Sequence, residues 1–259
     1  MNKPEHLSKE VGDQFADKSV VENYGYRPQY SQAVIDILSD QGRGTSMSVL
    51  DIGSGTGEVS IPLADKGHSV IGVDPSAAMV KAARAKGSTA EFVNSYIEEF
   101  SSNQRFDLLV AANSIHWPDW SVTFPLLKRL AKPHTKLAIV TGGDLVVEGI
   151  KDDILQIIQK YSTTRNFKPY SIVKLLQEQG FISNVTAIDL PGEALTQHID
   201  EYVASFHARN GFSLERMDTD QARAFGTDIR QVLTDYGFEN EVTGNVFYSV
   251  TFADIESPE

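Results

Sequence analysis

The chain has 259 residues, 41% of them hydrophobic, with no cysteine and a formal net charge of −12. That is enough apolar material for a sizeable core. The missing cysteines exclude disulfides, thiolate metal sites and cysteine nucleophiles, and an acidic balance without any basic cluster argues against nucleic acid or an anionic membrane surface as partner.

No apolar run approaches the roughly 18 residues of a membrane span. The stretch Met1-Asn2-Lys3-Pro4-Glu5-His6 lacks the apolar centre of a signal peptide, so a cytoplasmic location is expected. Residues 1–30 are polar with scattered aromatics, Phe15, Tyr24, Tyr26 and Tyr30, around Arg27-Pro28. From Ser31 the spacing of Ala33, Val34, Ile37 and Leu38 predicts a helix that stops at Gln41-Gly42.

Ser48–Ile52 reads as a buried strand, followed by Gly53-Ser54-Gly55-Thr56-Gly57 and a helix to about Lys66, with Gly67 as its stop. Pro62 inside that helix predicts a distortion. His68–Asp74 is a second strand; Ser76 caps a helix that runs to Gly87. Further strands are expected at Glu91–Asn94, Phe106–Ala112 and Lys136–Thr141, with a helix around Val122–Lys132. Strands alternating with helices at this spacing mean right-handed crossovers and a parallel sheet. Beyond Gly143 the rhythm loosens into helices at Ile150–Tyr161, Ser171–Gln179, His198–Ala208 and Asp218–Tyr236, and strands at Val185–Leu190 and Asn245–Phe252.

The strand, glycine turn and helix start form a small-ligand site. Glycine reaches positive φ without penalty, and the helix start presents N–H groups to an anionic group. A dinucleotide fingerprint would place a third glycine at position 58, where this chain has Glu58, whose side chain would crowd the helix and repel a pyrophosphate. Asp74, at the end of the second strand, is placed to accept both ribose hydroxyls of a nucleoside.

The spacing Asp51-x-Gly53-x-Gly55-x-Gly57 resembles the first motif of the class I S-adenosylmethionine-dependent methyltransferases. The stretch Asn113-Ser114-Ile115-His116-Trp117, after the fourth strand, and Tyr24-Gly25-Tyr26-Arg27-Pro28-Gln29-Tyr30 are similar to segments of a small-molecule subgroup around trans-aconitate methyltransferase. The resemblance covers roughly residues 20–145. It implies a Rossmann-like, doubly wound α/β fold with a mostly parallel seven-stranded sheet, its last strand antiparallel, and helical cap segments. One domain is expected: a core of about 31–145 and 180–259, with 1–30 and an insertion of about 145–217 as a cap over the site.

The resemblance also implies S-adenosyl-L-methionine as donor, with S-adenosyl-L-homocysteine as product. Expected donor contacts are Arg27, Asp51, Gly53, Ser54, Gly55, Thr56, Gly57, Asp74, Pro75, Met79, Tyr96, Ile97 and Asn113. Where the family commonly has Gly-Asp-Ala-Glu this chain has Ser95-Tyr96-Ile97-Glu98, which changes the adenine contacts. His116 is the candidate general base or acceptor-orienting group, since its pKa range suits proton transfer near neutral pH. A structural pair with Trp117 is the alternative. Tyr24, Trp117, Tyr202, Phe206 and Arg209 complete the expected acceptor contacts, the last three at helical spacing.

The expected reaction is in-line methyl transfer to a small-molecule O- or N-nucleophile, a carboxylate among them, driven mainly by proximity and orientation. Competing readings are a nicotinamide-dependent oxidoreductase and a non-catalytic S-adenosylmethionine-binding protein. No metal is expected, and the chain is expected to be a monomer or homodimer.

Overall fold

The computed structural model describes residues 3–164 and 169–258; Met1-Asn2, residues 165–168 of the expected insertion and Glu259 lie outside the described residues. The N-terminal segment forms short helical turns, among them α1 (Lys9–Gly12) and α2 (Lys18–Asn23). Helix α3 (Gln32–Ser39) follows, its first turn capped by the Ser31 hydroxyl, which accepts from the Val34 N–H.

Five strands then run parallel: β1 (Ser48–Ile52), β2 (Ser69–Asp74), β3 (Glu91–Asn94), β4 (Phe106–Ala112) and β5 (Ala131–Val146). Between them lie α4 (Ser60–Asp65), α5 (Ala77–Ala85) and α6 (Trp120–Leu130). Their apolar runs are continuous because both faces of the sheet are covered. On β1, Leu50 and Ile52 pack with Phe124 and Leu127 of α6, while Val49 faces Leu38 of α3 and Leu63 of α4. The Ile61 N–H donates to the Gly57 carbonyl and the Leu63 N–H to the Val59 carbonyl, but Pro62 between them has no N–H to give Glu58, and the regular helix α4 begins only at Ser60.

The rest of the chain comprises α7 (Lys151–Tyr161), α8 (Ile172–Glu178), β6 (Ile182–Asp189), β7 (Glu193–His198), α9 (Ile199–Phe206), α10 (Thr219–Asp235) and β8 (Glu241–Ile255). The sheet order is β3-β2-β1-β4-β5-β8-β6, with β7 also paired to β8. Strand β8 alone runs antiparallel to its neighbours, as expected. The expected seven strands gain an eighth. Strands β6 and β7 lie end to end along β8, interrupted at Pro191-Gly192, where proline has no N–H to give the ladder. Their mostly exposed residues carry little apolar signal, which hid β7 in the sequence.

Strands β2 and β3 extend to one side of β1, and β4 and β5 to the other. The resulting switch point, at the carboxyl ends of β1 and β4, is where open α/β sheets bind ligands.

Candidate functional site

A cleft of about 970 Å³ opens at this switch point. Its floor comes from the tips of β1, β2 and β4 and the turns after them, including Ile52, Gly53, Gly55, Val73, Asp74, Ala112 and Asn113. Gly53 sits at φ +70°, and a Cβ there would lie 2.5 Å from the Ser114 Cβ. Only glycine lets the turn meet the segment leaving β4 this closely. Asn113 adopts φ +50°; its side-chain amide donates to the Gly142 carbonyl (2.8 Å) and the Tyr30 hydroxyl (3.2 Å). These bonds hold a left-handed conformation that non-glycine residues seldom adopt.

Asp74 is held rigidly at the tip of β2. The Gly55 N–H donates to one carboxylate oxygen at 2.9 Å and the Ser76 N–H to the other at 2.8 Å. Burial pushes its pKa up against those two bonds. Each oxygen keeps a further lone pair for a ligand. Pro75, Met79, Tyr96 and Ile97 flank it in the cleft.

Segment 9–27 forms the roof. Lys9, Gly12, Asp13, Phe15, Ala16, Tyr24 and Arg27 all face the cleft. Tyr96 donates to Asp13 at 3.2 Å and lies under the Lys9 ammonium; Phe15 packs on Trp117, and a Cβ on Gly12 would lie 3.0 Å from the Trp117 Cβ and 3.1 Å from its indole Cγ. Apart from Tyr24 and Arg27, none of these roof residues was expected in the site, because no local periodicity or motif marks them. The expected insertion does not line the cleft. It holds the roof from behind: Arg216 bonds Asp17 (Nε–Oδ2 2.6 Å), Glu215 accepts from the Ser19 N–H (2.9 Å), and the Gly211 N–H donates to the Gln14 side chain (3.0 Å).

Of the expected donor contacts, Arg27, Gly53, Gly55, Asp74, Pro75, Met79, Tyr96, Ile97 and Asn113 come together around the cleft. Asp51 does not reach it. It is 1% exposed beneath the turn, where Ser60 donates to its Oδ2 at 2.6 Å and its Oδ1 has no partner. Burial pushes its pKa up to about 7, with the nearby Asp74 and Glu58 adding to the rise. Ser54 is buried, and the Thr56 hydroxyl bonds Glu58, which pairs with Lys86 at 2.8 Å. Gly57 shapes the turn from below, against Ile61 and Phe92.

His116 also lies off the cleft. The Ser114 hydroxyl bonds the Ile52 carbonyl and turns the chain back, so Trp117 faces the cleft while His116 sits edge-on between Trp117 and Tyr170. Burial, aided by the Lys3 charge, lowers its pKa to about 4. It is held neutral among these rings and does not line the cleft, where a base was expected.

A second cavity of about 300 Å³ adjoins the first and shares Tyr24, Arg27 and Asn113 with it. Tyr30, Glu58, Gly143 and Tyr248 also line it. Burial raises the pKa of Tyr24, Tyr30 and Tyr248, so all three stay protonated. Tyr202 and Phe206, expected to touch the acceptor, are 2% and 1% exposed. They face the core against each other and Phe225, because α9 turns its aromatic stripe toward α10. Arg209, one turn beyond, lines neither cavity but reaches Asp144 beside Gly143. Among the described residues, no group of three histidine, aspartate or glutamate side chains is placed to hold a metal ion.

Residues 49–134, which carry the glycine turn, Asp74 and the β4 tip, match the methyltransferase domain family. That segment is the part of the chain that is similar to known methyltransferases. The chain is 32% identical over 99 residues to a Saccharomyces cerevisiae protein named a probable S-adenosylmethionine-dependent methyltransferase; the match covers 35% of this chain and 34% of that relative. The chain thus spans about a third of the length of that relative.

Solved structures that share the fold include the following two. A provisionally named type II methyltransferase from Anaeromyxobacter dehalogenans aligns with a TM-score of 0.60 and 20% identity, over 88% of this chain and 95% of that one. An S-adenosylmethionine-dependent methyltransferase from Thiobacillus denitrificans, in complex with S-adenosyl-L-homocysteine, aligns with 0.52 and 14% identity, over 92% and 97%. Among the described residues, no helix is long and apolar enough to cross a membrane.

Proposed function

We propose that the protein transfers a methyl group from S-adenosyl-L-methionine to a small-molecule acceptor. The observation that carries this reading is the cleft itself. A side-chain-free glycine turn, a rigid carboxylate at the tip of β2, apolar Met79 and Ile97, and the buried Arg27 meet around one space at the switch point. Asp74 is placed to accept ribose hydroxyls, Met79, Tyr96 and Ile97 to enclose an adenine, and Arg27 with the N–H groups of the turn to hold a carboxylate. When bound, the donor supplies a methyl group on a sulfonium, already joined to a good leaving group.

The chain's own residues then act by placement. Phe15 and Trp117 close the roof and exclude water. Tyr24 and Asn113, which line both cavities, stand between donor and acceptor and align the attacking atom. The acceptor approaches from the side of the smaller cavity, which shares Tyr24, Arg27 and Asn113 with the cleft.

The test is calorimetric titration with S-adenosyl-L-homocysteine, with NAD in parallel. Micromolar binding of the former alone supports the reading. Binding of NAD alone overturns it in favour of hydride chemistry.

A further inference from the structure

We propose that Glu58 is the partner of the donor's ammonium group, so that one acid and one arginine read the amino-acid end of S-adenosyl-L-methionine. The proposal rests on the methyl-transfer reading above and adds to it a residue that selects the donor.

The amino-acid end of that donor carries a carboxylate and an ammonium. Arg27 and the N–H groups of the turn are placed for the carboxylate. Asp51, expected to meet the ammonium, is sealed beneath the turn. An ammonium taken from water without acceptors or a counter-charge is costly to bury, so another acid must serve. Among the described residues, the acids that line the two cavities are Asp13, Asp74, Glu98 and Glu58. Asp74 stands at the tip of β2, on the ribose, with both oxygens already bonded to backbone N–H groups. Asp13 accepts from Tyr96, and Glu98 accepts from the Asp119 N–H at 2.8 Å. Both belong with Tyr96 and Ile97 at the adenine end. Glu58 alone of the four lines the smaller cavity, together with Arg27.

The carboxylate of Glu58 is fixed and half used. Its side chain is 10% exposed. Oε1 accepts from both the Thr56 hydroxyl and the Lys86 ammonium, the latter at 2.8 Å, while Oε2 has no hydrogen-bond partner among the described residues. Buried polar atoms are seldom left without partners, and a carboxylate oxygen has two lone pairs to offer. The charge also reaches into the site. Burial raises the pKa of Tyr24, which lines both cavities, and of Asp51, and in each case the Glu58 carboxylate adds to the rise.

This placement leaves room for the acceptor. Glu58 follows β1, whereas Gly143 and Tyr248 line the smaller cavity from β5 and β8, on the far side of β4. The donor's ammonium takes the β1 side and the acceptor the side of β5 and β8. Glu58 also stands where a dinucleotide fingerprint has its third glycine. The carboxylate that would repel a pyrophosphate there attracts an ammonium, so one residue favours a nucleoside that bears an amino acid over a dinucleotide.

The test is calorimetric and compares S-adenosyl-L-homocysteine with its analogue in which hydrogen replaces the ammonium, the carboxylate being kept. Wild type should bind the first about tenfold more tightly. Glu58→Gln should weaken S-adenosyl-L-homocysteine about tenfold and leave the deaminated ligand within about twofold, so that the difference disappears. Lys86→Met removes the cation on Oε1 and should keep the difference at about tenfold or more; a thermal melt confirms that each variant folds. The proposal is overturned, and the donor reading stands, if wild type binds both ligands equally or if Glu58→Gln keeps the difference. It is equally overturned if Lys86→Met abolishes the difference as Glu58→Gln does, since the pair would then only brace the turn. If S-adenosyl-L-homocysteine itself fails to bind, the donor reading falls and takes this proposal with it.

Discussion

The floor and the roof of the cleft are built by different means. The floor is local: a strand, a turn and the tip of the next strand place Gly53, Gly55 and Asp74 through backbone geometry and two short N–H bonds. The roof is assembled. Segment 9–27 has little regular structure and depends on Trp117 in front and on Ser213, Glu215 and Arg216 behind. A floor fixed by the backbone leaves little room for substitution, whereas a roof held by separate, partly buried side-chain contacts can be loosened one contact at a time.

The two can be separated by variants. The largest effect should come from a residue in neither. Phe206→Ala removes a core ring and should cost about 3–5 kcal/mol in chemical denaturation, while the folded fraction binds S-adenosyl-L-homocysteine as wild type does; lost affinity at retained fold would return Phe206 to the site. Gly53→Ala forces a methyl against Ser114 and a non-glycine residue into φ +70°. It should cost about 2–3 kcal/mol and abolish donor binding by calorimetry.

Asp74→Ala leaves the Gly55 and Ser76 N–H groups without their acceptor and should weaken donor binding by about 2 kcal/mol. Wild-type affinity in that variant would remove Asp74 from the site.

Asp51 offers a pH test of the buried floor. Its folded pKa, about 7, is raised above the unfolded value by burial. Its contribution to stability is therefore complete below the unfolded pKa and lost as pH rises through about 7. Stability should fall between about pH 4 and 7 and level off above, by roughly 1–4 kcal/mol, and Asp51→Asn should flatten that fall in denaturation curves.

The smallest effect belongs to the roof. Arg216→Ala breaks a partly exposed pair with Asp17 and should cost under about 1 kcal/mol. It should nevertheless raise the rate at which bound ligand dissociates, measured by stopped flow, because the pair holds the roof in place. An unchanged off-rate would mean that the roof stands without this contact.

The comparison also explains what could be read in advance. Asp74, Met79 and Gly53 follow one another at the spacing of strand, turn and helix, so their meeting was legible. His116 and Trp117 were both expected at the acceptor, but only Trp117 lines the cleft; His116 packs between Trp117 and Tyr170, a placement that adjacent residues in a loop after β4 do not reveal. Tyr202 and Phe206 were misplaced because helical spacing shows that residues share a face, and says nothing of whether that face meets a ligand or the core.

The sequence by itself determined the parallel sheet, the glycine turn and the acid that follows it, because each depends on backbone conformation and on periodicity within a few residues. Only the tertiary structure decided which residues roof the cleft, that Asp51 lies beneath it, and that Asp144 stands between Arg27 and Arg209. The roof and the Asp144 contacts depend on segments more than 60 residues apart, or on a bulge in β5 whose partner strand is a hundred residues away in the chain, whereas Asp51 is turned under the floor by Ser60, nine residues on. No local pattern encodes which distant side chain will meet which.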